Sequence, residues 1–363
     1  MIRGKQPSSA LTVRAALAVV ALAAVPLAAQ PPAPDPLLYA RLESYLEALR
    51  QQAGIPGLSA AIVGESDIVW ERGLGRQDIE QSRGALPDTP YHIDGLGQSL
   101  TAAIVLRCAD QGKLSLDEPI GTFDADAPDP GATIRQLLAH TSSGSTFESF
   151  VYRPERLAPL RTVVRQCTGD SFRETLSGLF DQLAMFDSVP GADAPTLLPP
   201  AEGVPTGETA ARYNAILQRL ATPYLVPQPG QATATLHSAA TLTPSSGVVS
   251  TVRDLAKFDL ALKQSLLFSP EMLATAWTPP AGGGPVGLPH GLGWFVTTYN
   301  GQLVVWQFGV SESSSSFVIS LPAKRLTMIL LANSDGLVKP FVLSTGIVTA
   351  SPFARVFLGL LAP

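Results

Sequence analysis

The spacing of apolar residues divides the chain into segments of two different periods. Leu38, Leu42, Tyr45, Leu46 and Leu49 recur at the spacing of one helical face, so a helix is predicted there. GIPG breaks it, and LSAAIVGESDIVWERGLG follows as two predicted strands around a polar turn at Glu65 to Asp67. From Ser99 to Gly112 the period is helical again, with Gly112 as a stop signal. TIRQLLAH predicts a short helix running into the loop TSSG. Residues 145–240 are mixed, with helical stretches near Arg161–Arg165 and Phe172–Leu183 between Pro- and Gly-rich connections. STVRDLAKFDLALKQ is amphipathic: Ser250 or Thr251 can cap it, and Val252, Leu255, Phe258 and Leu262 form its apolar stripe. Beyond AGGGPVG, Asn300-Gly301 predicts a hairpin inside LGWFVTTYNGQLVVWQF. SSSSFVISLPAKRLTMILLAN predicts a second strand pair turning at Pro322 to Lys324, and apolar helical segments follow from Leu337.

Strands therefore lie at both ends and helices in the middle. That order predicts an α+β fold: one antiparallel sheet built from N- and C-terminal strands, flanked by helices, with an inserted helical lobe. The expected boundaries are a sheet lobe over about 37–90 and 285–363 and a helical lobe over about 91–284. The 363 residues, 45% hydrophobic and 15% charged, are ample for such a core and unlike a disordered chain. No βαβ alternation and no Gly-rich phosphate loop after a strand is present.

The N-terminus changes the picture. Arg3, Lys5 and Arg14 precede the run AALAVVALAAVPLAA, short for a membrane span and ended by small residues at Ala28 and Ala29. Residues 1–29 are expected to be a signal peptide and 30–36 a linker, which makes the protein exported, periplasmic or extracellular, with no stable membrane span afterwards. The formal net charge is −5, and the only charges in residues 1–29 are basic, so the remainder is more acidic still. Such a chain has no electrostatic case for nucleic acid. Cys108 and Cys167 are either a disulfide or two buried thiols. None of His92, His140, His237 and His290 shows metal-ligand spacing.

The segments YHIDGLGQSLTAAIVLRCADQGKLSLDEPI, RQLLAHTSSG, FRETLSGLFDQLAMFDSVPG, SGVVSTVRDLAKF, GLGWF, WQFG and LLANSDG occur in an order that resembles the serine β-lactamase and penicillin-binding-protein superfamily, near the class C β-lactamases and related esterases. The likeness runs from about Leu37 to the C-terminus. It implies that fold, a serine acyl-transfer site, and no cofactor or metal.

The motifs that would carry the chemistry are degenerate. In Ser-x-x-Lys, spacing of three puts both side chains on one helical face, so the Lys can take the Ser proton. Here the resemblance places Gly95 at the Ser position and Gln98 at the Lys position. No lysine of the chain has a Ser three residues before it, and no Gly-x-Ser-x-Gly elbow exists. Tyr-x-Asn is matched by Tyr152, followed by Arg153 and Pro154, with RYN at Arg212 to Asn214 as a poorer match. Lys-Thr-Gly or His-x-Gly is matched by WQFG, with Gln307 at the basic position and Gly309 kept. The resemblance also implies an oxyanion hole framed by the N–H groups of Gly95 and Val310, which act by position rather than side-chain identity. His140 matches a structural segment and is expected to be a satisfied loop or core residue. Ser313 to Ser316 are expected as polar strand-edge residues, and Glu312 as an exposed turn carboxylate.

The chain is thus identified as an exported β-lactamase-related homologue lacking its nucleophile. Its catalytic positions Gly95, Gln98, Tyr152, Gln307 and Gly309 are expected to be inactive. Gly95, Gln98, Tyr152, Gln307 and Val310 are expected to face a small peptide, a cell-wall fragment or an ester-like ligand. Two other readings stand beside it: a living serine-type hydrolase with an unusual nucleophile, and a structural module with a filled cleft.

Overall fold

In the computed structural model the described residues are 36–141, 150–197, 203–236, 241–281 and 287–362, with residues 1, 2, 4 and 201. The predicted signal peptide and linker, the TSSG loop and His237 fall outside them, apart from isolated residues near the start, Pro36 and Thr141. Residues 35–363 form one compact unit. It begins with α1 (Pro36–Gln52), β1 (Gly57–Val63), β2 (Ile68–Asp78), β3 (Arg83–Gly84), β4 (Tyr91–His92) and α2 (Gly97–Asp110). Its middle holds α3 (Ile134–Leu138), α4 (Leu160–Thr168), α5 (Phe172–Gln182), α6 (Gly207–Leu217), β5 (Tyr224–Leu225), β6 (Thr233–Ala234), β7 (Val249–Ser250), α7 (Val252–Lys263) and α8 (Pro270–Ala276). It closes with β8 (Phe295–Tyr299), β9 (Gln302–Val310), β10 (Ser315–Leu321), β11 (Leu326–Ala332) and α9 (Pro352–Leu361).

The main sheet has the order β3-β2-β1-β11-β10-β9-β8 and is antiparallel throughout. The strands nearest the two termini meet at its centre, where β1 pairs with β11. Both faces are covered, so β1 is buried along its whole length. The strand period of two sorts its side chains. Ala60 and Ile62 join Leu42 and Leu46 of α1 and Phe353 and Phe357 of α9 on one face. Ala61 and Val63 join the core made with α2, α4, α5 and α7 on the other. Tyr45 lies off the buried stripe of α1 and is exposed.

Local signals explain the boundaries. Thr251 caps α7 by accepting from the Asp254 N–H, and Ser171 and Thr133 form capping boxes with Glu174 and Gln136. Asn300 and Gly301 both have positive φ, the geometry that joins β8 to β9 in a two-residue turn. Cys108 on α2 and Cys167 on α4 form a disulfide.

One feature of the sheet positions the site. β8 pairs with β9 from Gln302 to Trp306, so Gln307 to Val310 run past it with β10 as their only strand partner among the described residues. The turn Asp94–Leu96, which starts α2, packs beside this free stretch.

Candidate functional site

Gly309 brings the turn and the strand together. A Cβ there would stand 2.2 Å from the Ile93 carbonyl oxygen and 2.6 Å from the Gly95 nitrogen, so only glycine allows this approach. Hydroxyls fasten the same seam. Ser316 donates to the Ile93 carbonyl at 2.6 Å, and Ser314 donates to the Asp94 carboxylate at 2.7 Å. Ser311 and Ser314 share a hydrogen bond of 2.7 Å. Ser313 to Ser316 are accordingly buried, and Glu312 is exposed. Val310 ends β9, partly exposed beside them.

Gly95 points at the other motif positions. A Cβ built on it would meet the Tyr152 hydroxyl at 3.3 Å, the Gln98 Nε2 at 3.4 Å and the Phe308 carbonyl at 3.0 Å. Its φ is not left-handed, so a side chain here is missing rather than forbidden by the backbone; the Phe308 carbonyl and the Tyr152 hydroxyl must each yield a few tenths of an ångström. Gln98, wholly buried, fills the Lys position with an amide. Its Nε2 donates to the Gly95 carbonyl at 2.9 Å and to the Tyr152 hydroxyl at 2.7 Å, and its Oε1 lies 2.9 Å from His140 Nε2.

These bonds settle the protons. The Gly95 carbonyl can only accept, which fixes the Gln98 amide orientation. Oε1 is then an acceptor, so His140 Nε2 carries the hydrogen, and His140 Nδ1 accepts the Arg153 N–H at 3.3 Å. His140 is thereby a satisfied neutral imidazole. Burial lowers its pKa from 6.5 to about 3. Tyr152, packed against Phe308, Phe295 and His140, has its pKa raised by burial and keeps its proton at neutral pH. Neither group is a base at neutral pH.

Gln307 is placed elsewhere. The pleat of β9 sends it to the face of Val305, where it is wholly buried. It donates to the Gly293 carbonyl at 3.1 Å and accepts the Phe308 N–H at 2.9 Å, and among the described residues it bonds to none of Gly95, Gln98 and Tyr152. Ser99 donates to the same Gly293 carbonyl at 3.1 Å, one turn deeper than Gly95. Tyr213 of the alternative RYN match is buried on α6 with its hydroxyl on Ser177.

The structure adds two residues that the motifs did not single out. His140, expected as a satisfied residue and found as one, is also the partner that holds Gln98. Asp94 has φ +47 and a carboxyl whose pKa burial raises from 3.8 to about 6. His140 is likewise left-handed, with φ +54, so two non-glycine residues in a costly conformation flank Gly95 and Gln98. The sequence signal for Asp94 was its place immediately before Gly95, the position that the motif assigns to Ser. Among the described residues no group of His, Cys, Asp and Glu is arranged to hold a metal ion.

Comparison with known proteins agrees with this geometry. A family model described as Beta-lactamase matches residues 42–346. Protein flp of Staphylococcus aureus strain MW2 is 24% identical over 322 residues, which cover 81% of this chain and 62% of that protein. The serine beta-lactamase-like protein LACTB, mitochondrial, of Bos taurus is 27% identical over 110 residues, 28% of this chain and 20% of that protein. This chain thus spans less than two thirds of either relative. The solved structure of the octameric penicillin-binding protein homologue from Pyrococcus abyssi shares the fold, with a TM-score of 0.71 at 19% identity over 89% of this chain and 77% of that one.

Proposed function

We propose, from the premise that the chain belongs to the Beta-lactamase family, that it keeps the serine-hydrolase site as a binding site and has lost acyl transfer. The observation that carries this reading is the pairing of Gly95 with Gln98. The nucleophile position is bare, and the base position holds an amide tied to Gly95, Tyr152 and His140. His140 offers no substitute base, since both its nitrogens are engaged in the neutral form. Where catalytic groups act as a unit, loss of the nucleophile alone costs about a million-fold, and oxyanion donors with binding leave roughly 10³–10⁴ over water. The ligand would be a small peptide, a cell-wall fragment or an ester-like molecule held against Gly95, Tyr152 and Val310 without turnover, in a ligand-binding or regulatory role. The bridged Cys108 and Cys167 support an exported, oxidising location.

The test compares the native chain with Gly95→Ser/Gln98→Lys and with the same pair plus Gln307→His. Each is assayed on a p-nitrophenyl short-chain ester and a chromogenic cephalosporin, with intact mass recorded for acyl adducts. The native chain is expected to match buffer and the double variant to form an adduct at residue 95. Turnover or an adduct in the native chain would sink the proposal, and the adduct site would name the nucleophile.

A further inference from the structure

Two adjoining cavities lie among α2, α7, α8 and the strands β9 and β10. The outer one, about 360 Å³, reaches the surface at Ala323 and Arg325. The inner one, about 40 Å³, is walled by Leu96, Leu100, Phe258, Trp294 and Val305, all buried. Asp259, Leu262, Trp277 and Ser320 line both and form the junction between them. Ser99 and Gln307 also border the inner chamber, but both donate to the Gly293 carbonyl. The chamber wall is therefore apolar in effect, and an apolar chamber of this kind takes hydrocarbon in preference to water.

The outer cavity has no uncompensated charge to select an ion. Lys263 Nζ lies 2.6 Å from Asp259 Oδ2 and donates to the Val63 and Gly64 carbonyls at 3.2 and 2.9 Å. Arg325 faces Glu65 at 3.5 Å and donates to the Lys263 carbonyl at 3.1 Å. The junction offers something else: a buried donor and a buried acceptor, neither with a directed hydrogen bond among the described residues. The donor is the indole N–H of Trp277, a half-buried residue at the end of α8. The acceptor is Asp259 Oδ2, which has the Lys263 charge beside it, while Thr327 donates to Oδ1 at 2.8 Å. Buried polar groups left without a hydrogen bond disfavour the fold, and one group that both donates and accepts would serve the two together.

We infer that the paired cavities bind a short-chain primary alcohol, with its alkyl end in the inner chamber and its hydroxyl at the junction. The hydroxyl accepts from the Trp277 indole N–H and donates to the Asp259 carboxyl, so one small group serves both. The half-buried Trp277 ring has room to turn toward it. A ketone or an ester only accepts and would leave Asp259 unserved. A carboxylate would bring a second anion beside Asp259, where the nearby cations are already paired. The outer cavity is the entry, and the small inner volume limits the chain to a few carbons.

Tryptophan fluorescence reports on this site directly, because Trp277 and Trp294 line it. Titrations with ethanol, 1-propanol, 1-butanol, 2-butanone and butyrate are run on the native chain, Trp277→Phe and Val318→Phe. Val318 is on the inner wall, so the larger ring fills the chamber. The expected result is a saturable change whose affinity rises about fourfold per carbon from ethanol to 1-butanol. Trp277→Phe keeps an aromatic ring and removes the N–H, and should weaken 1-butanol about fivefold, with Trp294 still reporting. Val318→Phe should abolish the change while keeping a cooperative melt; if that variant fails to fold, Trp277→Phe and the ligand series still decide. No saturable change with 1-butanol would overturn the inference, as would equal affinity in Trp277→Phe or in a folded Val318→Phe. Binding of 2-butanone or butyrate as tight as that of 1-butanol would overturn the assignment to an alcohol. None of these outcomes depends on whether Gly95→Ser restores acylation.

Discussion

Gln98 and Gln307 both stand where the family keeps a basic group, and the protein uses them in opposite ways. Gln98, at the first turn of α2, keeps the old architecture: it touches Tyr152, the Gly95 backbone and His140. Gln307, on β9, bonds to none of that group among the described residues and ties the strand to the Gly293 carbonyl instead. One glutamine is therefore wired into the site and the other belongs to the core. The difference follows from the elements. A helix turn projects position 98 toward the same side as position 95, whereas the pleat of a strand gives position 307 only two faces, and the face it takes is closed.

The largest expected effect concerns the rear anchor of α2. The Cys108–Cys167 bridge spans a separation of 59 residues, for which loop-closure entropy gives about 4 kcal/mol. Cys108→Ala/Cys167→Ala should lose stability of that order in urea unfolding; an unchanged midpoint would mean that the helix carrying Gln98 needs no covalent anchor. Next come the glutamines themselves. Gln98→Leu strands the His140 Nε2–H, the Tyr152 hydroxyl and the Gly95 carbonyl and should cost about 3 kcal/mol or more. Gln307→Leu should cost about 1–2 kcal/mol, because Ser99 still serves Gly293. Equal losses would break the contrast between a wired and a buried position.

The pH dependence sharpens the same contrast, since titrating groups surround Gln98. The folded pKa of His140, about 3, lies below its unfolded value of 6.5, so the unfolded chain binds more protons across that window and stability falls as pH falls through it. Asp94 opposes this. Its folded pKa of about 6 lies above the ordinary 3.8, so the folded chain holds a proton that the unfolded chain releases, and its contribution rises as pH falls from about 6 toward 4. Asp94→Asn should therefore steepen the acid loss, by about 1–2 kcal/mol after allowing for its partial exposure, in denaturant titrations stepped from pH 7 to 4. A profile parallel to that of the native chain would remove Asp94 from the account. The smallest effect is Ser99→Ala, about 1 kcal/mol, because Gln307 remains on the Gly293 carbonyl.

Much of this was legible before any coordinates. The period of α2, the Asn300-Gly301 turn and the amphipathic stripe of α7 are local signals, and each element formed near its expected position. The vacancy at Gly95 and the amide at Gln98 were legible too, because a motif on one helix turn needs only residue identity and spacing. His140 was read as a satisfied residue, and its bond to Gln98 was out of reach because that bond closes over 42 positions of chain. The Asp94–Ser314 bond closes over 220.

The sequence by itself therefore determined which side chains stand at the motif positions, since a glycine has no side chain to attack with and a Gln amide is no base wherever the fold puts it. Only the tertiary structure decided which surviving polar groups meet. The parity of β9 against β10 sends Gln307 inward, the close approach at Gly309 seats Asp94 and Gly95 on the strand, and the left-handed turn at His140 aims its ring at Gln98. Those outcomes depend on register and packing between distant segments, and no period or spacing along one segment encodes them.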